Sequence, residues 1–189
     1  MELKNRTSAW TLLVASISGF LASFILTYDK FKVLKDSGYT PSCNINSTLN
    51  CKSVMLSKQA EVFGFPNSRI GVATFAMMLV IAVALFFGVR FPKLFWQLVL
   101  AGTALAVIFC HWLAYQTTFI IGALCPNCMV AWFATLLVLS VSLRELIQFK
   151  RETLVDEEAQ TAVETIQKWM VPFHIFWAAL LIGSAFLGV

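Results

Sequence analysis

The chain is 189 residues long, 59% hydrophobic and only 13% charged, with a formal net charge of +4 and a mean hydropathy of +0.78. An ordinary soluble domain carries about 45–50% apolar and about 25% charged residues, so a soluble, disordered or fibrous protein is excluded. Charge is absent from Thr7–Tyr28, Ile70–Val89, Leu94–Leu143 and Trp169–Val189, and about 20 apolar residues cross the roughly 30 Å of bilayer hydrocarbon.

In chain order, the first tract predicts a span over about 8–28. It is long for a signal-peptide core and no convincing small-x-small cleavage site follows it, so it is read as retained. Loop 29–69 leads to a span over 70–89 and the short connection Arg90–Lys93. The third tract is too long for one crossing. Tyr115-Gln-Thr-Thr118, Gly122 and Pro126 predict a turn within it, leaving spans 94–115 and 124–143. A charged linker, 144–168, precedes a fifth span at 170–189. Backbone at membrane depth must satisfy its own hydrogen bonds, and these segments are too long for barrel strands. The expected fold class is therefore an all-α integral membrane protein, one membrane domain over 1–189. Trp10, Trp96 and Trp169 lie near span ends, as interfacial anchors do.

With an odd number of crossings, loop 29–69 and the 116–124 hairpin share one face, opposite the N-terminus and linker 144–168. Lys and Arg divide 6 against 8 between those faces, and the positive-inside rule then puts the N-terminus in the cytoplasm. The cysteines agree. Cys43, Cys51, Cys125 and Cys128 all fall on the 29–69 face, with Cys110 near the same end of its span. Thiols kept for disulfide chemistry belong on the oxidising side, so that face is read as extracytoplasmic.

Cys125-Pro126-Asn127-Cys128 opens the fourth span. A thiolate at a helix start is favoured by unpaired N–H groups and the positive helix end, and Pro at the first helical position sacrifices no hydrogen bond. Zinc sites share this spacing, but they usually take four ligands, and His111 and His174 lie inside predicted spans. Two inert buried cysteines are a further alternative. Cys43 and Cys51 flank an Asn-, Ser- and Thr-rich stretch that suits a flexible loop. They are either a structural staple or a mobile pair exchanging with Cys125 and Cys128. The following Lys52–Phe63 segment mixes apolar and charged residues as a surface helix on lipid does. Cys110 reads as core packing, and His111 as an interhelical hydrogen bond or, sharing a face with Tyr115, a proton route.

These residues carry a resemblance. Two loop cysteines at this spacing, Ser57 six positions after the second, Phe63-Gly64-Phe65-Pro66-Asn67-Ser68-Arg69-Ile70-Gly71 entering the second span, and a Cys-x-x-Cys opening the fourth together resemble the vitamin K epoxide reductase family, over about Ser8 to Leu143. The resemblance implies a four-helix transmembrane bundle around a quinone, the fifth helix being similar to the extra helix of bacterial members. Many of those continue into a thioredoxin-like domain. None is contained in these 189 residues, so the expectation is either a separate periplasmic thioredoxin-fold partner or a domain trimmed from the C-terminal side.

It further implies that Cys125 and Cys128 are the active-site pair, Cys128 nearer the quinone, and Cys43 and Cys51 the shuttle pair, with Cys51 exchanging with Cys125. Asn67 matches a position that hydrogen-bonds a quinone carbonyl, and Ser57, Val54 and Met55 match a lid over the ring. Where the vitamin-K-reducing animal members carry a tyrosine, this chain has Trp132, which removes a hydroxyl from the second carbonyl and leaves room for a different quinone.

The expected function is a quinone-dependent thiol-disulfide oxidoreductase of the bacterial inner membrane. It takes electrons from a thioredoxin-fold protein, reduces ubiquinone, menaquinone or vitamin K, and so generates disulfides. The alternatives are a vitamin K epoxide reductase of the endoplasmic reticulum and a non-enzymatic metal or redox carrier. Lipid and quinone are expected partners; nucleic acid and a bound metal are not expected.

Overall fold

The computed structural model describes residues 3–151 continuously and, beyond them, single positions between 161 and 183. The elements in order are α1 (Leu3–Lys35), α2 (Cys51–Met55), a 3-10 turn (Lys58–Glu61), α3 (Ser68–Phe86), α4 (Lys93–Tyr115), a π-helical turn (Gln116–Ile121) and α5 (Pro126–Arg151). Among the described residues four helices, α1, α3, α4 and α5, are long and apolar enough to cross a membrane. No strand occurs among the described residues. The chain is a multi-pass, all-α membrane protein. The fifth expected span and His174 lie largely or wholly outside the described residues.

The bundle is built outward from α1. Ser8, Ala9, Leu12, Ala15, Ser16, Ala22, Ser23 and Leu26 are all buried, recurring at the three- and four-residue steps of one helix face. Most are small, and small residues let helix backbones approach closely in lipid, where dispersion replaces the hydrophobic effect between helices. At Gly19 a Cβ would lie 2.5 Å from the Phe75 ring, and at Gly71 it would overlap Ser23 Oγ. Thr27 Oγ1 donates to Ser68 Oγ across the same interface at 2.8 Å. α1 packs on α3 and α5, and α5 on α4, whereas packing between α3 and α4 is sparse.

The opposite faces carry large apolar side chains outward, Val80, Leu98, Leu105 and Ile108 among them at 65–69% exposure. Apolar surface on that scale is stable only against lipid. Phe87 caps the C-terminus of α3, and Gly88 takes the positive φ of +80° that the following turn needs. Gly122, at φ +68°, closes the hairpin after the π turn.

Several expectations change. α1 and α5 overrun their apolar tracts, so 29–35 and 144–151 are helix rather than loop and linker. Trp96 does not face the interface. It is 1% exposed, stands edge-on to Phe91 and Phe95 at 6.1 and 5.4 Å and belongs to the core shared with α1, α3 and α5. Trp10 is 55% exposed beside Phe86. Lys52–Phe63 is not one surface helix but α2 and the 3-10 turn, broken at Leu56-Ser57.

Candidate active site

The site forms where the C-terminal ends of α1 and α4 meet the N-terminal ends of α3 and α5. Pro126 is the first residue of α5, so Cys125 occupies the position just before the helix. Its sulfur accepts a hydrogen bond from the Cys128 backbone N–H at 3.3 Å, and its carbonyl accepts from Met129 at 3.1 Å. Cys125 thus lies against the unpaired N–H groups of a helix start. It is 2% exposed, while Cys128, one turn inward, is half-buried. Both are free thiols.

Cys43 and Cys51 are joined by a disulfide, with Cα atoms 5.7 Å apart. The Asn-rich stretch between them is pinned rather than loose. Asn46 Oδ1 accepts from Thr48 and Leu49 N–H at 3.0 and 2.7 Å, Asn44 Oδ1 from Lys52 at 2.9 Å, and Asn50 Oδ1 caps α2 by accepting from Ser53 at 3.0 Å. The same side chains that suit turns here satisfy the backbone of one fixed turn. Outside it, Lys52 Nζ donates to the Ser37 and Tyr39 carbonyls at 2.6 and 2.9 Å. The Tyr39 hydroxyl donates to Asp29 at 2.8 Å, a bond to the carboxylate that holds the Tyr39 phenol above its ordinary pKa.

Backbone hydrogen bonds bring the two cysteine pairs together. Asn50 N–H donates to the Leu124 carbonyl at 2.9 Å, and Leu124 N–H to the Thr48 carbonyl at 2.7 Å. The residue before Cys51 is therefore bonded to the residue before Cys125. Cys43, Cys51 and Cys125 are buried in one cluster with Leu26, Val54, Met55 and Ala123, and Cys128 packs at its edge.

Beside this cluster lies a cavity of about 560 Å³ with mainly apolar walls. Val54, Met55, Ser57, Asn67, Cys125, Cys128 and Trp132 all line it, whereas Cys43 and Cys51 do not. Asn67 sits at the N-terminus of α3, with its amide spent on the loop above. Nδ2 donates to the Gln59 carbonyl at 2.7 Å and Oδ1 accepts from Val62 at 3.2 Å, leaving one amide N–H for a further acceptor. Ser57 Oγ donates to the Val54 carbonyl at 2.7 Å. The 3-10 turn and the residues after it roof the cavity, Gln59 bonding to Gln116 of the π turn at 3.2 Å and Phe63 packing on Phe109 of α4 at 5.6 Å.

Residues that sequence reasoning passed over complete the wall. Cys110, Thr118 and Lys30 line the cavity; His111 and Tyr115 do not. Cys110 had no signal beyond its residue type, and Lys30, at the edge of a charge-free tract, looks like an ordinary span flank. His111 Nδ1 is 2.8 Å from the Val107 carbonyl within α4, and its ring stands edge-on to Trp132 of α5 at 5.0 Å. Trp132 Nε1 and Thr118 Oγ1 are buried without a hydrogen-bond partner. The cavity is within the roughly 300–1,000 Å³ of small-molecule sites, and its mainly apolar wall with unpartnered polar hydrogens suits an apolar ligand that carries hydrogen-bond acceptors. Among the described residues no three His, Cys, Asp or Glu side chains form a group able to hold a metal.

Residues 10–143 match the family described as the vitamin K epoxide reductase family. No curated protein matches the chain.

Proposed function

The chain belongs to the vitamin K epoxide reductase family, a family of membrane oxidoreductases, and we propose that it passes electrons from extracytoplasmic thiols to a membrane quinone and thereby makes disulfides. The observation that carries this reading is the bonding of Asn50 and Thr48 to Leu124, which seats a disulfide loop on a Cys-x-x-Cys that itself lines an apolar cavity. A quinone there would supply the two-electron, two-proton acceptor, lying well above thiol couples of about −120 to −270 mV.

Roles follow from placement. Cys43 and Cys51 form the shuttle pair, reduced by a separate thioredoxin-fold protein. A Cys51 thiolate attacks the Cys125–Cys128 disulfide at Cys125 and releases Cys128 as a thiolate. Cys43 then displaces Cys125 and restores the Cys43–Cys51 disulfide, leaving Cys125 and Cys128 reduced. Cys128, the half-buried member of that pair, faces the acceptor. Ser57, Val54 and Met55 cover the ring, and Asn67 and Trp132 offer N–H groups to its two carbonyls. The protein lies in the bacterial inner membrane with the cysteine end outward.

The test is quinone reduction by the purified chain, driven by a reduced thioredoxin-fold protein. Turnover is expected with the unaltered chain and lost in Cys128→Ala. Near-normal turnover of that variant would sink the mechanism, and turnover of vitamin K epoxide in a matched assay would move the assignment to vitamin K recycling. A folded protein that reduces no quinone but binds metal stoichiometrically would make the cysteines those of a carrier.

A further inference from the structure

Among the described residues Lys30 is the sole charged side chain lining the cavity, and it is 4% exposed. Its neighbours Lys32 and Lys35 on α1 are exposed, as lysines flanking a span are when they reach for water. Lys30 instead turns inward. Its Nζ donates to the Met55 carbonyl at 2.5 Å and pairs with Glu61 at 3.0 Å. A buried ammonium is costly unless paired and hydrogen-bonded, so this geometry is specified rather than incidental.

The two partners belong to different pieces of the site. Met55 is the last residue of α2, the helix that begins at Cys51. Glu61 is the last residue of the 3-10 turn that roofs the cavity. Leu26, one helical turn before Lys30, packs in the cluster that holds Cys51 and Cys125. One ammonium on α1 therefore fastens the cysteine-bearing helix and the roof at the same time. The fastening is asymmetric: the Glu61 side chain is 41% exposed and that of Lys30 6%. Glu61 can be released to water with Lys30 still bonded to Met55, but loss of Lys30 removes one hold on both pieces at once.

We propose that Lys30 is a positioning residue that couples α2 to the roof, so that Cys51 stands against Cys125 only while the cavity is covered. This rests on the reading of Cys43 and Cys51 as electron carriers, and it makes delivery of electrons and closure over the acceptor a single conformational event.

Amide hydrogen exchange of the full chain in lipid nanodiscs tests the coupling without any quinone. Lys30→Met is expected to speed exchange of Leu56 and Ser57, at the end of α2, together with Ala60 and Gly64 in the roof, by about tenfold, the scale of one lost charge-assisted bond. Glu61→Gln is expected to speed only Ala60 and Gly64, and Lys30→Arg to preserve all four. Faster exchange in the roof alone for Lys30→Met, or in neither piece, overturns the proposal.

Turnover gives the functional half. With electrons from a thioredoxin-fold protein, Lys30→Met is expected to lower kcat by about tenfold. The same substitution in a Cys43→Ala/Cys51→Ala chain driven by dithiothreitol, where no shuttle operates, is expected to raise the quinone KM with kcat retained. Equal loss of kcat in both assays overturns the coupling. Absence of quinone turnover in the unaltered chain would refute the functional reading, and exchange alone would then decide the coupling.

Discussion

At position 132 an indole replaces the hydroxyl that the family resemblance led us to look for, yet the wall does not lose its donor. Trp132 is 6% exposed, lines the cavity and has a buried Nε1 with no partner. Its ring stands edge-on to His111 at 5.0 Å, which fixes the plane of the N–H. A buried donor without an acceptor is destabilising in the empty site, so an acceptor arriving in the cavity recovers that cost. Trp132→Phe is expected to raise the quinone KM by about fivefold, the worth of one net hydrogen bond, with kcat little changed. Trp132→Tyr, which restores a polar hydrogen, should hold KM near that of the unaltered chain. An unchanged KM in the Phe variant would reduce the indole to packing.

At this scale the sequence was readable wherever chemistry is local. Cys125, Pro126 and Cys128 declare a helix-start dithiol by type and spacing, and the structure places them there. Lys30, Thr118 and Cys110 were not readable, because what distinguishes them is the tertiary neighbour: a carbonyl 25 residues away in one case and a cavity wall in the other two.

Among the elements, the α1–α3 crossing is the tightest contact, and it rests on glycine. A Cβ on Gly71 would overlap Ser23 Oγ, with Ser23 Cβ 3.0 Å away. Gly71→Ala is expected to destabilise the fold by about 1–3 kcal/mol through overpacking, read as a lower melting temperature in detergent. Ser23→Ala should recover part of that loss, since the oxygen is the closer obstacle. Strict additivity of the two substitutions would show that the helices slide apart instead of repacking.

The spans themselves were legible as charge-free tracts because lipid imposes its hydropathy on every lipid-facing residue. Helix ends were less so. Hydropathy marks where the hydrocarbon stops, whereas a helix stops where its hydrogen bonding does. α1 therefore runs on to Lys35 through Tyr28, Asp29 and Lys30, and α5 to Arg151. The break at Leu56-Ser57 was hidden for the opposite reason. It is set by the Val54 carbonyl accepting from Ser57 N–H and Oγ, a local turn that no apolar periodicity announces.

Taken whole, the bundle is a ring left open on one side. α3–α1–α5–α4 pack in sequence while α3 and α4 have little between them, and both helices line the cavity. The opening matters for the proposed function, because the isoprenoid tail of a membrane quinone would have to remain in lipid while its ring reached the cavity. On the proposed function, the sparse packing between α3 and α4 is the side from which such a tail would reach lipid. Gly102 on α4 lines the cavity and a Cβ there would meet nothing within 4 Å, so a larger side chain fits without distorting the helix. Gly102→Leu is expected to raise KM for a long-tailed quinone by about tenfold, comparable to the cost of overpacking a filled site. The KM for a tail-less benzoquinone should stay unchanged, because the ring and the thiols are untouched. Equal rises for both quinones would mean that the added bulk reaches the ring, placing the tail along another wall and leaving the α3–α4 gap to lipid alone.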